Sequence, residues 1–422
     1  MIKLLPTKYR IIYLIIFVLG LLKVLKTGAI FYPDSYAFLD MQINRSPVYS
    51  LFLKLTTTVF GDYYEVPVLV LQYLFFVFAI NYLLKSIKSK INLSAVGILL
   101  IQFSILINGL YFYLSVNRVL SEAIVFPLIL IFIAEVFKLL SNKTLKNSYK
   151  LIVVFFVLLF TRGQFLAFLP LLILAFIYVV FQSKNYKKGI IVLCLTLATP
   201  FLSSLLEKTY NKIVIGEFKG YAMTYVHFIT NPFYIANAED ENLFSNSEEK
   251  AFFNRTYNLM LDKKITRNQA IQTKYVDDYL FFENNFSKIC NASIHQANMD
   301  YYGTQGYNYL EQQYKVDQMT SSMFLPLLKA NFKTWVRMVI KSFIKGFGGI
   351  QMCLTLGLLL LYCIMFFKDN TMLFLGITIT LKVLNGIIIA MVVHSIYRYT
   401  FYFDWVLLSA FILILDSKIK KA

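Results

Sequence analysis

Apolar runs of roughly twenty residues recur along this chain, separated by short basic segments. Each run is long enough to cross a hydrocarbon layer of about 30 Å as a helix. That repetition constrains the fold more than any other feature, because a chain spanning lipid must satisfy its backbone internally. Charged residues make up only 15% of the 422 positions, whereas soluble domains carry about a quarter. The expected class is an all-α polytopic membrane protein. Soluble enzymes, secreted scaffolds and disordered regulators are excluded.

Ten crossings are expected, at roughly 11–29, 66–84, 93–110, 119–137, 151–161, 165–182, 189–205, 349–367, 371–392 and 400–416. The net charge of +18 follows this layout. Seventeen Lys and Arg fall in one alternating set of segments, including Lys3, Lys8, Arg10, Lys85, Lys88, Lys184, Lys187, Lys188, Lys420 and Lys421. The other set holds Lys23, Lys26, Arg45, Lys54, Arg118, Arg162 and Arg398. By the positive-inside rule both termini are cytoplasmic, and the basic excess marks topology, not nucleic acid. The first run follows Lys3, Lys8 and Arg10 without a small-residue cleavage site, so it reads as a retained span and not a removed signal peptide. Cys194, Cys290, Cys353 and Cys363 have neither disulfide-framework nor zinc spacing.

Residues 151–182 present a choice. One continuous helix there would be about 48 Å long, well over the core thickness, with Arg162 near its middle. Two short helices turning at Thr161-Arg162-Gly163-Gln164 avoid both costs. Elsewhere the span midplanes are mostly free of charge, with Lys382 and Glu135 as partial exceptions placed to snorkel.

Three domains follow: a membrane domain over 1–205, an extracytoplasmic domain over 206–345, and a membrane domain over 346–422. The middle segment has 16 basic and 14 acidic residues and is rich in aromatics, among them Tyr257, Tyr275, Tyr279, Tyr301, Tyr302 and Tyr307. It ends with Lys329, Lys333, Arg337, Lys341 and Lys345 at four-residue intervals, which predicts a surface amphipathic helix.

Ionisable residues gather on the outer side: Asp34, Asp40, Arg45, Arg118, Glu122, Arg162, His394 and Arg398. The first outer loop is the richest, with Phe31-Tyr32-Pro33-Asp34-Ser35-Tyr36, then Asp40, then Arg45-Ser46-Pro47-Val48-Tyr49. Pro33 suits the first turn of a short helix and Asp34 its positive end, which is also a purely structural account of that acid. Asp40 lies about 240° further around such a helix, so the two do not form a carboxylate dyad. A second helix is expected from Pro47 to Phe60. Glu122 has a structural partner at i−4 in Arg118, the alternatives being substrate hydrogen bonding or a divalent metal. His394 and Arg398 are expected to share a helix face at i, i+4. His394 either donates to an anion or caps the ninth span.

This loop, together with Leu120-Ser121-Glu122, Leu159-Phe160-Thr161-Arg162 and Tyr397-Arg398-Tyr399, resembles the GT-C superfamily of polytopic glycosyltransferases. The protein O-mannosyltransferase and lipid A aminoarabinose transferase families are the relevant members. The chain departs from the mannosyltransferases in having Ser35 where they carry a second acid. The resemblance implies transfer of a sugar from a polyprenyl-phosphate carrier to a glycan, lipid or protein acceptor. Such chemistry needs a base for the acceptor hydroxyl and cations for the leaving phosphate. Asp34 is the candidate base. Arg162, Arg398, Arg45, His394 and Tyr399 are candidates for holding the donor phosphate, with Glu122, Arg118, Tyr36 and Asp40 in support. No cofactor is implied with certainty, and a divalent metal held by Asp34 and Glu122 is the alternative. Two other functions share these features: a polymerase or ligase moving a lipid-linked oligosaccharide, and a lipid-linked sugar flippase. Lys-, Ile- and Asn-rich usage suggests a bacterial inner membrane, and hence undecaprenyl phosphate as the carrier.

Overall fold

Helices account for the regular structure of residues 5–272 and 277–419, the parts that the computed structural model describes. Lys3, Tyr275, Lys420 and Lys421 lie outside the described residues. Among those described there is no strand, only one isolated parallel bridge between Ile30 and Arg118.

The chain divides into two units. The first comprises residues 1–220, 354–385 and 400–422, and the second 221–353 and 386–399. Helices α1 (Thr7–Thr27), α2 (Pro33–Leu39), α3 (Pro47–Phe60), α4 (Glu65–Lys88), α5 (Ala95–Ile107), α6 (Glu122–Asn142), α7 (Ser148–Thr161), α8 (Leu169–Ser183) and α9 (Tyr186–Val214) belong to the first. The second holds α10 (Thr224–Ile235), α11 (Ser247–Asp262), α12 (Arg267–Gln272), α13 (Asp278–Ile289), α14 (Gln296–Thr304), α15 (Tyr309–Ala330) and α16 (Phe332–Gly346). Two further helices, α17 (Ile350–Met365) and α18 (Asn370–Val392), cross the unit boundaries, and α19 (Tyr397–Thr400) and α20 (Trp405–Ile419) follow.

Among the described residues seven helical segments are long and apolar enough to cross a membrane, or eight if Phe332–Gly346 and Ile350–Met365 form one broken span. That is fewer than the ten expected, for identifiable reasons. Helix α1 carries Lys8, Arg10, Lys23 and Lys26 within its 21 residues. Helix α7 has only 14 residues and α17 only 16, or about 21 and 24 Å. Helix α9 continues to Val214, past the expected end of the seventh span.

Apolar side chains point outward as well as inward. Leu354, Leu358, Leu361 and Met365 of α17, and Ile190, Leu197 and Phe201 of α9, are exposed. Such rows suit a hydrocarbon surround, since in water they would form a large apolar patch. Helix α6 is the interior helix of the first unit, with Val125 to Phe137 almost wholly covered by α4, α7 and α8.

The charges expected to snorkel do not. Lys382 is 5% exposed and paired with Asp404 at 2.5 Å, and Glu135 is buried beside Tyr82 and Lys138. Charges at that depth persist when neutralised by a partner.

In the second unit, α10 to α16 enclose an aromatic core that includes Phe233, Tyr234, Phe253, Tyr279, Phe282 and Tyr302. Most of the expected aromatics therefore serve packing. The Lys329–Lys345 row is interrupted at Asn331, and α16 packs Trp335, Met338 and Ser342 inward. Its Arg337 and Lys341 do not all face a lipid surface, because they bind Asp278 at 2.8 and 2.6 Å. Arg267 binds the same carboxylate at 2.9 Å. Burial raises the Asp278 pKa, but these bonds and charges outweigh it and hold the acid at about 2.

Candidate active site

The first loop is fixed by backbone hydrogen bonds to the segment before α6. Ile30 N–H donates to Asn117 O at 2.8 Å, and Val119 N–H donates to Ile30 O at 3.0 Å. The Asn117 amide donates to Val24 O and Gly28 O, so it closes the end of α1, where Gly28 takes φ 75°. This pairing places the loop that bears Asp34 beside Arg118.

Asp34 stands in the first turn of α2. Pro33 occupies N1, where a missing N–H costs nothing, and Tyr32 N–H donates to Ser35 Oγ at 2.9 Å. Phe38, Tyr49, Leu53, Val68, Val119 and Leu120 form the apolar base beneath α2 and α3. Arg45 Nη2 donates to Asp34 Oδ1 at 2.7 Å, with the two side chains 20% and 31% exposed. Arg45 thus pairs with Asp34 through Nη2, while its Nε is buried without an acceptor among the described residues. Tyr36 is exposed and stacks on Phe31 at 5.8 Å. Asp40 is exposed at the C-cap of the same helix.

Glu122 does not take the i−4 partner. Its fully buried carboxylate pairs with Arg162 Nη1 at 2.9 Å. Helix α6 starts at Glu122, so Arg118 lies before it in non-helical backbone and the helical spacing rule does not apply. Arg162 ends α7 in extended conformation (φ −153°, ψ 119°), which is the break expected there. It also donates to Tyr402 Oη at 3.3 Å.

The Arg118 guanidinium lies 4.0 Å from the Tyr113 ring centroid and 4.9 Å from that of Tyr32. Its Nε is buried without an acceptor, and among the described residues no carboxylate pairs with it. Sequence reasoning missed Tyr32, Tyr113 and Tyr402, since no local spacing links them to an arginine.

His394, Arg398 and Tyr399 belong to the second unit. Helix α18 ends at Val392 and α19 starts at Tyr397, so His394 and Arg398 do not share one helix face. His394 stacks on Phe286 at 4.1 Å, and burial, with help from His227 and Arg398, pushes its pKa down to about 4. That shift favours the neutral imidazole near pH 7. Arg398 lies 5.7 Å from the Tyr399 ring. The next residue after His394, Ser395, is fixed by its N–H donating to Tyr279 Oη at 3.0 Å and by Ser342 Oγ at 2.9 Å.

Among the described residues no three His, Cys, Asp or Glu stand close enough to hold a metal ion. Asp34 and Glu122, the alternative metal pair, each face an arginine instead. Comparison of the chain with protein-family models, with curated proteins and with solved structures finds no match.

Proposed function

We propose that this chain is an inverting glycosyltransferase of GT-C type, moving a sugar from a polyprenyl-phosphate carrier to an acceptor hydroxyl. The observation that carries the reading is the Ile30–Arg118 bridge, which sets the loop bearing the part-exposed Asp34 against the segment of Arg118, an arginine that no carboxylate pairs with among the described residues. A base and an uncompensated cation are the two groups this reaction needs.

Asp34 accepts the proton as the acceptor oxygen attacks the anomeric carbon, worth about 10²–10⁴-fold. The bond between that carbon and the phosphate oxygen breaks, and the phosphate leaves with the electron pair. Arg118 meets the charge that develops on the departing oxygen. Arginine suits this role because its fork matches phosphate oxygens, and the flanking Tyr32 and Tyr113 rings hold it in orientation. Arg162 and Arg45 are the structural cations, each already balanced by an acid.

The distribution of Lys and Arg supports cytoplasmic termini and a reaction on the extracytoplasmic face of a bacterial inner membrane. The test uses purified protein in nanodiscs with polyprenyl-phosphate sugars and a hydroxyl acceptor. Transfer with inversion at the anomeric carbon is expected, and the mass of the product reads one sugar. Transfer of a whole oligosaccharide would favour a ligase, and movement of intact lipid without transfer would favour a flippase.

A further inference from the structure

A ring of polar side chains runs through the first unit among helices otherwise apolar. Arg162 and Gln164 sit on the turn between α7 and α8, and Gln164 Nε2 donates to Asn385 Oδ1 at 2.9 Å. Asn385 is three residues from Lys382 on α18, a spacing that puts both on one face. Lys382 Nζ binds Asp404 Oδ1 at 2.5 Å. Asp404 is two residues from Tyr402, whose hydroxyl accepts from Arg162. The circuit returns to its start, with Glu122 attached through Arg162.

Three properties of this ring bear on a ligand. Its formal charges cancel, Arg162 and Lys382 against Glu122 and Asp404. It is not sealed, since the Asp404 and Arg162 side chains are 31% and 18% exposed and Gln164 is half-buried. Two of its acceptor atoms, Asp404 Oδ2 and Gln164 Oε1, have no protein donor among the described residues. A neutral ring offering open acceptors is matched to uncharged hydroxyl donors, whereas an anion is matched to Arg118.

We infer that this ring is the sugar subsite of the donor, with Asp404 and Gln164 taking hydroxyl hydrogens of an uncharged sugar. The assignment rests on the glycosyltransferase reading and divides the donor between two parts of one unit. Arg118 holds phosphate, and the ring selects the sugar. An acceptor that the bound ligand covers discriminates against ligands lacking the hydroxyl, since the group then left unpaired pays its desolvation cost.

Two ligands separate these roles: a polyprenyl-phosphate carrying an uncharged hexose, and the same polyprenyl phosphate without sugar. Binding to the full chain in nanodiscs is measured for wild type, Asp404→Asn, Gln164→Leu and Arg118→Gln. Both ring variants are expected to bind the sugar-bearing lipid about tenfold more weakly and the bare lipid phosphate unchanged. Arg118→Gln is expected to weaken both. Asp404→Asn leaves Lys382 without its acid, so Gln164→Leu, which removes no charge partner, decides if that variant does not fold. Equal losses for both ligands in the ring variants, or no loss for either, would overturn the sugar subsite. A wild-type chain that binds neither lipid would instead sink the glycosyltransferase reading itself.

Discussion

Glu122 and Arg162 pair at 2.9 Å although forty positions separate them, and the acid is fully buried. Removing the cation leaves an uncompensated carboxylate in the interior, which typically costs about 3–5 kcal/mol. Arg162→Gln should therefore lower the melting temperature of the detergent-solubilised protein markedly. Adding Glu122→Gln to the same chain should recover most of that loss, because the remaining charge is gone. Two variants that destabilise additively would show that the pair is not coupled.

Asp34 and Arg45 are a different case. Both side chains are partly exposed, and such pairs contribute about 0–1 kcal/mol. Asp34→Asn keeps an oxygen for Arg45 and should leave the melting temperature nearly unchanged. Transfer from a polyprenyl-phosphate sugar should fall by about 10²–10⁴-fold if the carboxylate is the base. A folded Asp34→Asn protein with full turnover rules it out.

Local chemistry was legible in the sequence where one residue determines its own backbone. Pro33 and Pro47 begin α2 and α3 because proline fits the first helical turn, and helix α7 stops at Arg162 where a longer span would bury a charge. Pairing across the chain was not legible. Spacing suggested Arg118 for Glu122, yet Arg118 lies outside the helix because its backbone is bridged to Ile30. The same reason separates His394 from Arg398, since residues 393–396 are not helical. Arg337 and Lys341 read as the basic row of a surface helix because no periodicity announces Asp277 and Asp278, some sixty residues earlier. The expected spans at α1 and α7 fall below the length and charge that mark a crossing, because hydropathy alone counts neither the four cations of α1 nor the 14 residues of α7.

Acid should weaken the second unit in two stages. Burial pushes His295 down to about 4, and His394 is likewise at about 4, against about 6.5 in an unfolded chain. As pH falls from about 6.5 to 4 the unfolded state takes up protons that the folded histidines refuse, so stability drops. From about 4 to 2 the loss continues through Asp278, whose folded value of about 2 lies below the unfolded carboxylate. Trp335 packs in this unit and is one of only two tryptophans, so in a Trp405→Phe background its fluorescence reports unfolding by denaturant. His295→Leu should flatten the upper stage and Asp278→Asn the lower. A stability curve level between pH 6.5 and 4 would mean that the histidines are not held neutral.

The strongest discrimination among the arginines comes from Arg118. Lysine at this position keeps the charge but loses the planar fork and its stacking between Tyr32 and Tyr113. Glutamine loses the charge as well. If the guanidinium holds the leaving phosphate, donor affinity and turnover should fall in the order wild type, Arg118→Lys, Arg118→Gln, with the last reduced by at least about a hundredfold in kcat/KM. Tyr113→Leu should give a smaller loss, since it removes one stacking ring and keeps the cation, a contribution of about 0.5–2 kcal/mol. Raising the salt concentration should weaken donor binding by the wild type more than by Arg118→Gln, because only the former attracts the phosphate through charge at this position. Equal salt dependence in the two proteins would place the phosphate at another cation.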